Sequence, residues 1–192
     1  GFQKFNRLLH HCSLNGLGIL NFENIRVSGE ADFLRTYFKN RPNAVVFDVG
    51  ANVGDYARLV SGIARGVRIH AFEPHPRTYA RLTQNCTGLE VQAVNAAAGE
   101  SAGVIDLFDY ESEDGSSHAS VYREVIESLH HARSIRHTVP VLALGEYLHT
   151  HGIERIDLLK IDTEGHELNV LKGLGTYLQE GRVDAIHFEF NE

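Results

Sequence analysis

The sequence predicts an α/β fold with a doubly wound, mostly parallel sheet, and three observations predict it. Short apolar runs of strand length alternate with stretches of helical periodicity, each run ends on a polar and usually acidic residue, and the first opens into a glycine-containing turn. Parallel neighbours need crossover connections, which the intervening helices supply. Composition agrees: 192 residues at 43% hydrophobic content suffice for a sizeable core, and 22% charged residues exclude a disordered chain.

The elements follow in order. In residues 1–43, Phe5, Leu8 and Leu9 fit a short amphipathic helix, the stretch LNGLGILNFEN reads as a turn, and a helix is expected over 31–38 before Pro42 closes the segment. Residues 44–47 are a continuous apolar run ended by Asp48 and Gly50, the pattern of a buried central strand. A helix over 55–64 and a strand over 67–72 ending in Glu73-Pro74 come next, with Pro76 placed to open the following helix. Strands are expected at 90–94 and, as an extra element, at 104–108; 111–117 is polar and reads as a loop, followed by a helix over 119–132. After the segment 138–142, residues 156–161 form a strong strand ending at Asp162. Leu168, Leu171, Leu174 and Leu178 give the next helix an apolar stripe, and 183–190 alternates as a last strand.

Charge and cysteine usage narrow the partners. Eighteen basic against 25 acidic residues leave a net charge of −7, which speaks against a nucleic-acid partner. Cys12 and Cys86 show neither zinc-ligand nor disulfide-framework spacing. No apolar run has the length of a membrane span or a signal-peptide core, so no membrane partner is expected and the location read from the sequence is cytoplasmic.

In open α/β sheets ligands bind beyond the carboxyl ends of the strands, where strand order reverses. The predicted strand ends are Asp48, Glu73, Asn95, Asp162 and Glu189, four of them acidic. Adjacent carboxylates repel unless compensated, and a cationic ligand would compensate them. The first strand end reads VFDVGANVG, with Gly50 and Gly54 in GxxxG spacing instead of the GxGxxG of dinucleotide folds. Asp48 beside that turn would repel a pyrophosphate and attract a sulfonium, which selects S-adenosylmethionine over NAD. The competing structural reading is a plain strand-to-helix turn. Glu73 is placed to accept both hydroxyls of a ribose, or else caps the helix at Pro76; Asn95 joins the cofactor set by the same strand-end rule.

These residues carry a resemblance. VFDVGANVGDY, HAFEPHP and LLKIDTEGHELNVLKG, in this order, resemble the FkbM family of S-adenosylmethionine-dependent methyltransferases over residues 45–189, and HFEFNE at 187–192 resembles the family's later strand. The resemblance implies a class I methyltransferase (Rossmann-like) fold and methyl transfer to a hydroxyl of a small molecule, a polyketide or a sugar. It implies that Asp48, Gly50, Asn52 and Gly54 line the methionine part of the cofactor and that Glu73 holds its ribose. The family's Leu-Asp before the Lys-Ile-Asp block is replaced here by residues 143–146, Ala-Leu-Gly-Glu. On this reading residues 1–43 are an N-terminal helical lead-in and 44–192 an S-adenosylmethionine-binding methyltransferase domain. The sheet of such a domain continues past Glu189, which predicts a domain incomplete at its C-terminus, and a chain that opens on Gly1 and contains no Met is expected to lack its natural N-terminus.

Transfer to an alcohol requires a base for its proton. His166, His75, Asp162 and Glu164 are the candidates: His166 for its intrinsic pKa, Asp162 because a carboxylate ending a central strand is costly as pure structure. Asp162 with Glu189 and Asn191 also suggests an all-oxygen Mg²⁺ site, while the pairs His10/His11, His130/His131 and His149/His151 have no ligand pattern and are assigned no metal role. Two further readings stay open: a nicotinamide-dependent oxidoreductase on a similar fold, and a non-catalytic module that keeps the cofactor site.

Overall fold

The computed structural model describes residues 29–110 and 134–188. The expected helix at Phe5 to Leu9, the turn after it, the loop at 111–117, the helix at 119–132, and Glu189 and Asn191 therefore lie outside the described residues. The chain divides into two compact units, Gly1–Arg41 and Pro42–Glu192. In the first, helix α1 (Glu30–Phe38) buries Ala31, Leu34 and Phe38, an i, i+3, i+7 stripe. The Arg41 guanidinium lies over the Tyr37 ring at 4.6 Å.

The second unit begins with β1 (Val45–Val49), buried at every position. Helix α2 (Asp55–Ile63), β2 (Arg68–Phe72), α3 (Pro76–Asn85) and β3 (Val91–Val94) follow as two parallel crossovers. The chain then leaves the sheet. Strands β4 (Ala97–Ala98), β5 (Gly103–Tyr110) and β6 (Ser134–Leu142) form a separate three-stranded sheet of order β4-β6-β5, with β5 and β6 antiparallel. Helix α4 (Leu144–Thr150) leads back to β7 (Ile156–Ile161) on the free side of β1; α5 (Glu167–Gly173), α6 (Thr176–Gln179) and β8 (Val183–Phe188) complete the unit. The main sheet is entirely parallel, in the order β3-β2-β1-β7-β8, so the direction of winding reverses between β1 and β7. The ends of those two strands mark the crevice where such sheets bind ligands.

Alternation along β1 assigns its two faces. Val45, Phe47 and Val49 pack with Leu144, Tyr147, Leu148, Val170 and Leu174 in one apolar core. On this face His70 shares a hydrogen bond with the Tyr147 hydroxyl at 2.9 Å. Burial pushes the His70 imidazole down to about 4, helped by His151 and Arg68, so it stays neutral. Asp48 points the other way, toward the α2 side, where the Lys160 ammonium of β7 lies 5.2 Å from the centre of the Tyr56 ring.

One expectation needs correction, and two segments that the sequence leaves without a place acquire one. The leucine stripe does not form one helix: α5 ends at Gly173, Gly175 has φ +56, and a second short helix starts at Thr176. Val170 and Leu174 are the buried pair, whereas Leu168 is 65% exposed and Leu178 39%. The segment 143–146 initiates α4. The hairpin β5–β6 belongs to its own sheet, because β4 and β6 pair beyond the end of β3.

Candidate active site

The crevice is built by three turns, each leaving a parallel strand. After β1 the chain turns sharply: Gly50 and Ala51 both donate their N–H to the Phe72 carbonyl at 3.0 Å, and Gly50, Asn52 and Gly54 all have positive φ. Gly50 is dictated by space as well as by φ +80, since a Cβ there would stand 1.7 Å from the Asp162 carbonyl oxygen. The turns after β1 and β7 thus touch backbone to backbone, and the Asp162 N–H donates to Val49 O at 2.9 Å. Gly54 serves packing against α3, where a Cβ would meet Cys86 Sγ and Leu82 Cδ1 at 2.8 Å.

After β2, the Glu73 carboxylate is buried and held by main chain on both oxygens. The Asn52 N–H donates to Oε2 at 2.9 Å and the His75 N–H to Oε1 at 2.8 Å. Burial pushes this carboxyl up to about 7; the two backbone hydrogen bonds pull against it, and the charges of Asp48 and Asp109 add to it. Asn95, at the end of β3, donates its amide N–H to the carbonyls of Glu73 and Pro74 at 2.8 and 3.0 Å. It braces the turn that carries Glu73. A group of two histidines and an acid stands behind that turn: the buried His75 Nε2 lies 3.6 Å from Asp109 Oδ2, Nδ1 lies 3.5 Å from Thr78 Oγ1, and the ring meets His137 edge-on at 4.5 Å. Both nitrogens of His75 face protein atoms.

Asp48 and Lys160 are register partners across β1 and β7, and Lys160 is the partner of His187 across β7 and β8. The Lys160 ammonium donates to Asp162 Oδ2 at 2.9 Å and stands 3.9 Å from Asp48 Oδ1. The strand-end acids are therefore not compensated by a ligand alone; the protein places a cation among them. Tyr56 Oη lies 3.5 Å from His187 Nδ1 at the edge of this row. Sequence reading assigned no role to Lys160, Tyr56 or His187. The period-two alternation that puts residues 160 and 162 on one face was the available signal for Lys160; His187 joins it only through sheet pairing and Tyr56 only through the packing of α2 on the sheet.

The turn after β7 is organised by Glu167, a residue the sequence reading left out. Its Oε1 accepts from Thr163 N–H at 3.1 Å, Thr163 Oγ1–H at 3.0 Å and Gly165 N–H at 3.1 Å. Burial would raise this carboxyl, but the hydrogen bonds prevail and hold it below the usual range. Glu167, the first residue of α5, thus fastens the turn before the helix, which has no side-chain cap, and Asp162 is left to the crevice with its side chain 29% exposed. Glu164 sits at φ +52 in the same turn. His166 precedes α5 with Nδ1 3.1 Å from the Asn169 amide nitrogen. Its Nε2 would be 3.3 Å from a Cβ at Gly99, and it lines a cleft of about 230 Å³ with residues 99–105, Val141 and Asn169. Burial lowers its basicity. The structure brings Asp48, Gly50, Asn52, Glu73, Asn95, Lys160 and Asp162 together, whereas His166 faces the smaller sheet and no hydrogen bond among the described residues links it to Asp162. Glu189 and Asn191 lie outside the described residues, and among those described no group of three His, Cys, Asp or Glu is placed to hold a metal ion. No helix among the described residues is long and apolar enough to cross a membrane.

Comparison with known proteins adds to this geometry. Residues 48–192 match the family described as the Methyltransferase FkbM domain. The chain is 28% identical over 152 residues to the hexuronic acid methyltransferase AglP of Haloferax volcanii, covering 79% of this chain and 59% of that protein. It is 30% identical over 181 residues to the 31-O-demethyl-FK506 methyltransferase FkbM of Streptomyces tacrolimicus, covering 77% and 70%, and 28% identical to the 2-O-methyltransferase NoeI of Sinorhizobium fredii, covering 69% and 58%. The match thus spans between 58% and 70% of these relatives' own length. Among solved structures, the precorrin-6y C5,15-methyltransferase of Geobacter metallireducens GS-15 superposes with a TM-score of 0.46 at 13% identity, over 87% of this chain and 63% of that one.

Proposed function

The chain belongs to the FkbM family of methyltransferases, and on that premise we propose that it binds S-adenosylmethionine across the ends of β1, β2 and β7 and methylates a hydroxyl of a small molecule, sugar-like or polyketide-like. The observation that carries this reading is Glu73, a buried carboxylate gripped by the backbone of the neighbouring turn and set beside Asp48. Its burial is costly, and the backbone bonds from Asn52 and His75 take up only one acceptor site on each oxygen. A ribose diol uses it, since each carboxylate oxygen has acceptor capacity beyond the one backbone bond it receives.

The donor set fits the cofactor. Asp48, Glu73 and Asp162 outnumber Lys160 around the crevice, and a surplus of carboxylates suits a ligand that carries a sulfonium and an ammonium. The same acids repel the pyrophosphate of a nicotinamide dinucleotide, and the turn has GxxxG spacing. The names of the relatives support the acceptor class: one is a hexuronic acid methyltransferase, one a 31-O-demethyl-FK506 methyltransferase, one a 2-O-methyltransferase.

When bound, the cofactor supplies an activated methyl group, so the protein's part is alignment and proton removal. Asn52 and Gly50 give the close backbone approach, and Glu73 fixes the ribose. Removal of the acceptor proton is assigned to residues 162–166, in which Asp162 opens on the crevice and Glu164 and His166 flank it. A cytoplasmic setting belongs to this proposal, on the absence of framework or ligand spacing for the cysteines. Incubation with methyl-labelled cofactor and a panel of hydroxylated acceptors, hexuronic acids included, tests the proposal. Label transferred to an acceptor oxygen is the expected result; cofactor binding without transfer to any of them would identify a binding module instead.

A further inference from the structure

We propose that Lys160 determines specificity for the amino-acid end of the cofactor by binding its α-carboxylate, within a row Asp48, Lys160, Asp162 whose alternating charges match a zwitterion. The inference rests on the cofactor reading above.

The row is fixed by the sheet. Asp48 and Lys160 are opposite each other in the parallel register of β1 and β7, and Asp162, two residues beyond Lys160, emerges on the same face. The ammonium is held at 2.9 Å from one carboxylate and 3.9 Å from the other, over the Tyr56 ring, and the side chain is 15% exposed. A lysine this buried is costly unless its charge has a purpose or a partner. Neutralising one acid would need only one of the two contacts, and its place between both acids alternates the sign from the buried Asp48 outward to Asp162.

The chemistry of the ligand explains why alternation matters. The methionine end of the cofactor carries an ammonium, a carboxylate and a sulfonium, with one net positive charge; the row carries one net negative charge. Two acids without the lysine would attract the ammonium and sulfonium but repel the carboxylate. Such a site would favour a decarboxylated cofactor, a plain amine. Lys160 reverses that preference, leaving Asp48 and Asp162 to the cationic groups. The adenosine end, anchored at Glu73 just past β2, is independent of this row.

The test uses three ligands: S-adenosylhomocysteine, its decarboxylated analogue, and 5′-methylthioadenosine, which lacks the amino-acid end. Wild-type protein is expected to bind S-adenosylhomocysteine about tenfold or more tightly than the decarboxylated analogue, the scale of one charge-assisted hydrogen bond. In Lys160→Gln that ratio falls to about one or inverts, while 5′-methylthioadenosine binds as in the wild type; Lys160→Arg keeps the preference. The wild-type ratio is readable without any variant, so a value near one overturns the proposal even where Lys160→Gln does not fold. A preference that survives in folded Lys160→Gln overturns it as well. If neither S-adenosylhomocysteine nor 5′-methylthioadenosine binds, the cofactor reading itself has failed; if both bind and only the ratio is wrong, the failure is confined to Lys160.

Discussion

His70 and Glu73 lie on the same strand and its exit, yet pH acts on them in opposite directions. The His70 imidazole, lowered from 6.5 to about 4, contributes stability that is present above its ordinary value and lost as pH falls through 4. The Glu73 carboxyl, raised from 4.5 to about 7, contributes stability that is present below its ordinary value and lost as pH rises through 7. Each shift corresponds to about 3 kcal/mol across its window, and the two windows overlap between pH 4.5 and 6.5. Over that interval the two contributions therefore oppose each other, with the lowered His166 acting on the side of His70. Glu73→Gln removes one side of the balance, and urea unfolding should then show stability climbing by about 2 to 3 kcal/mol from the lower to the higher pH. A variant whose stability follows the same pH dependence as the wild type would show that Glu73 is not buried as described. The placement of Asp48, one residue before the end of β1, and of Glu73, one past β2, was legible from the sequence because an acid at the exit of an apolar run leaves a pattern in one segment. Lys160 in its pairing with Asp48 was not, since its role depends on the register of two strands far apart in sequence.

At the scale of elements, β1 was readable from the continuous apolar run 44–47, because a strand covered on both faces needs no alternation, and β2 and β7 from the apolar positions around Arg68, His70, Asp157 and Lys160. The stretch from Leu168 to Leu178 misled for the converse reason. Its leucines fit a helical stripe, but Gly173 and Gly175 end and restart the helix, and the core is served by Val170 and Leu174. Val170→Ala is expected to cost about 2 kcal/mol through the cavity it leaves, whereas Leu168→Ala stays within about 0.5 kcal/mol, as exposed substitutions do. Thermal or denaturant unfolding of the two variants checks this, and a larger loss at Leu168 would contradict the packing. The small sheet escaped the sequence reading in part because β4 has only two residues and its partner β6 comes long after it in the chain.

For the whole molecule, the consequential feature is the order β3-β2-β1-β7-β8, which places the exits of β1 and β7 side by side at the reversal of winding. Rhythm of strands and helices gave the fold class; it does not give strand order, and the touching turns at Gly50 and Asp162 follow from that order. The central claim is that this crevice holds S-adenosylmethionine on acidic anchors. Isothermal titration of the folded chain with S-adenosylmethionine, S-adenosylhomocysteine and NAD, repeated with Asp48→Ala and Glu73→Ala, tests it most directly. The account predicts that the two adenosyl ligands bind and NAD does not, and that Asp48→Ala weakens binding by roughly 1 to 3 kcal/mol, the scale of a lost charged hydrogen bond. Binding of NAD in their place, or adenosyl-ligand affinity unchanged in both variants, would contradict it.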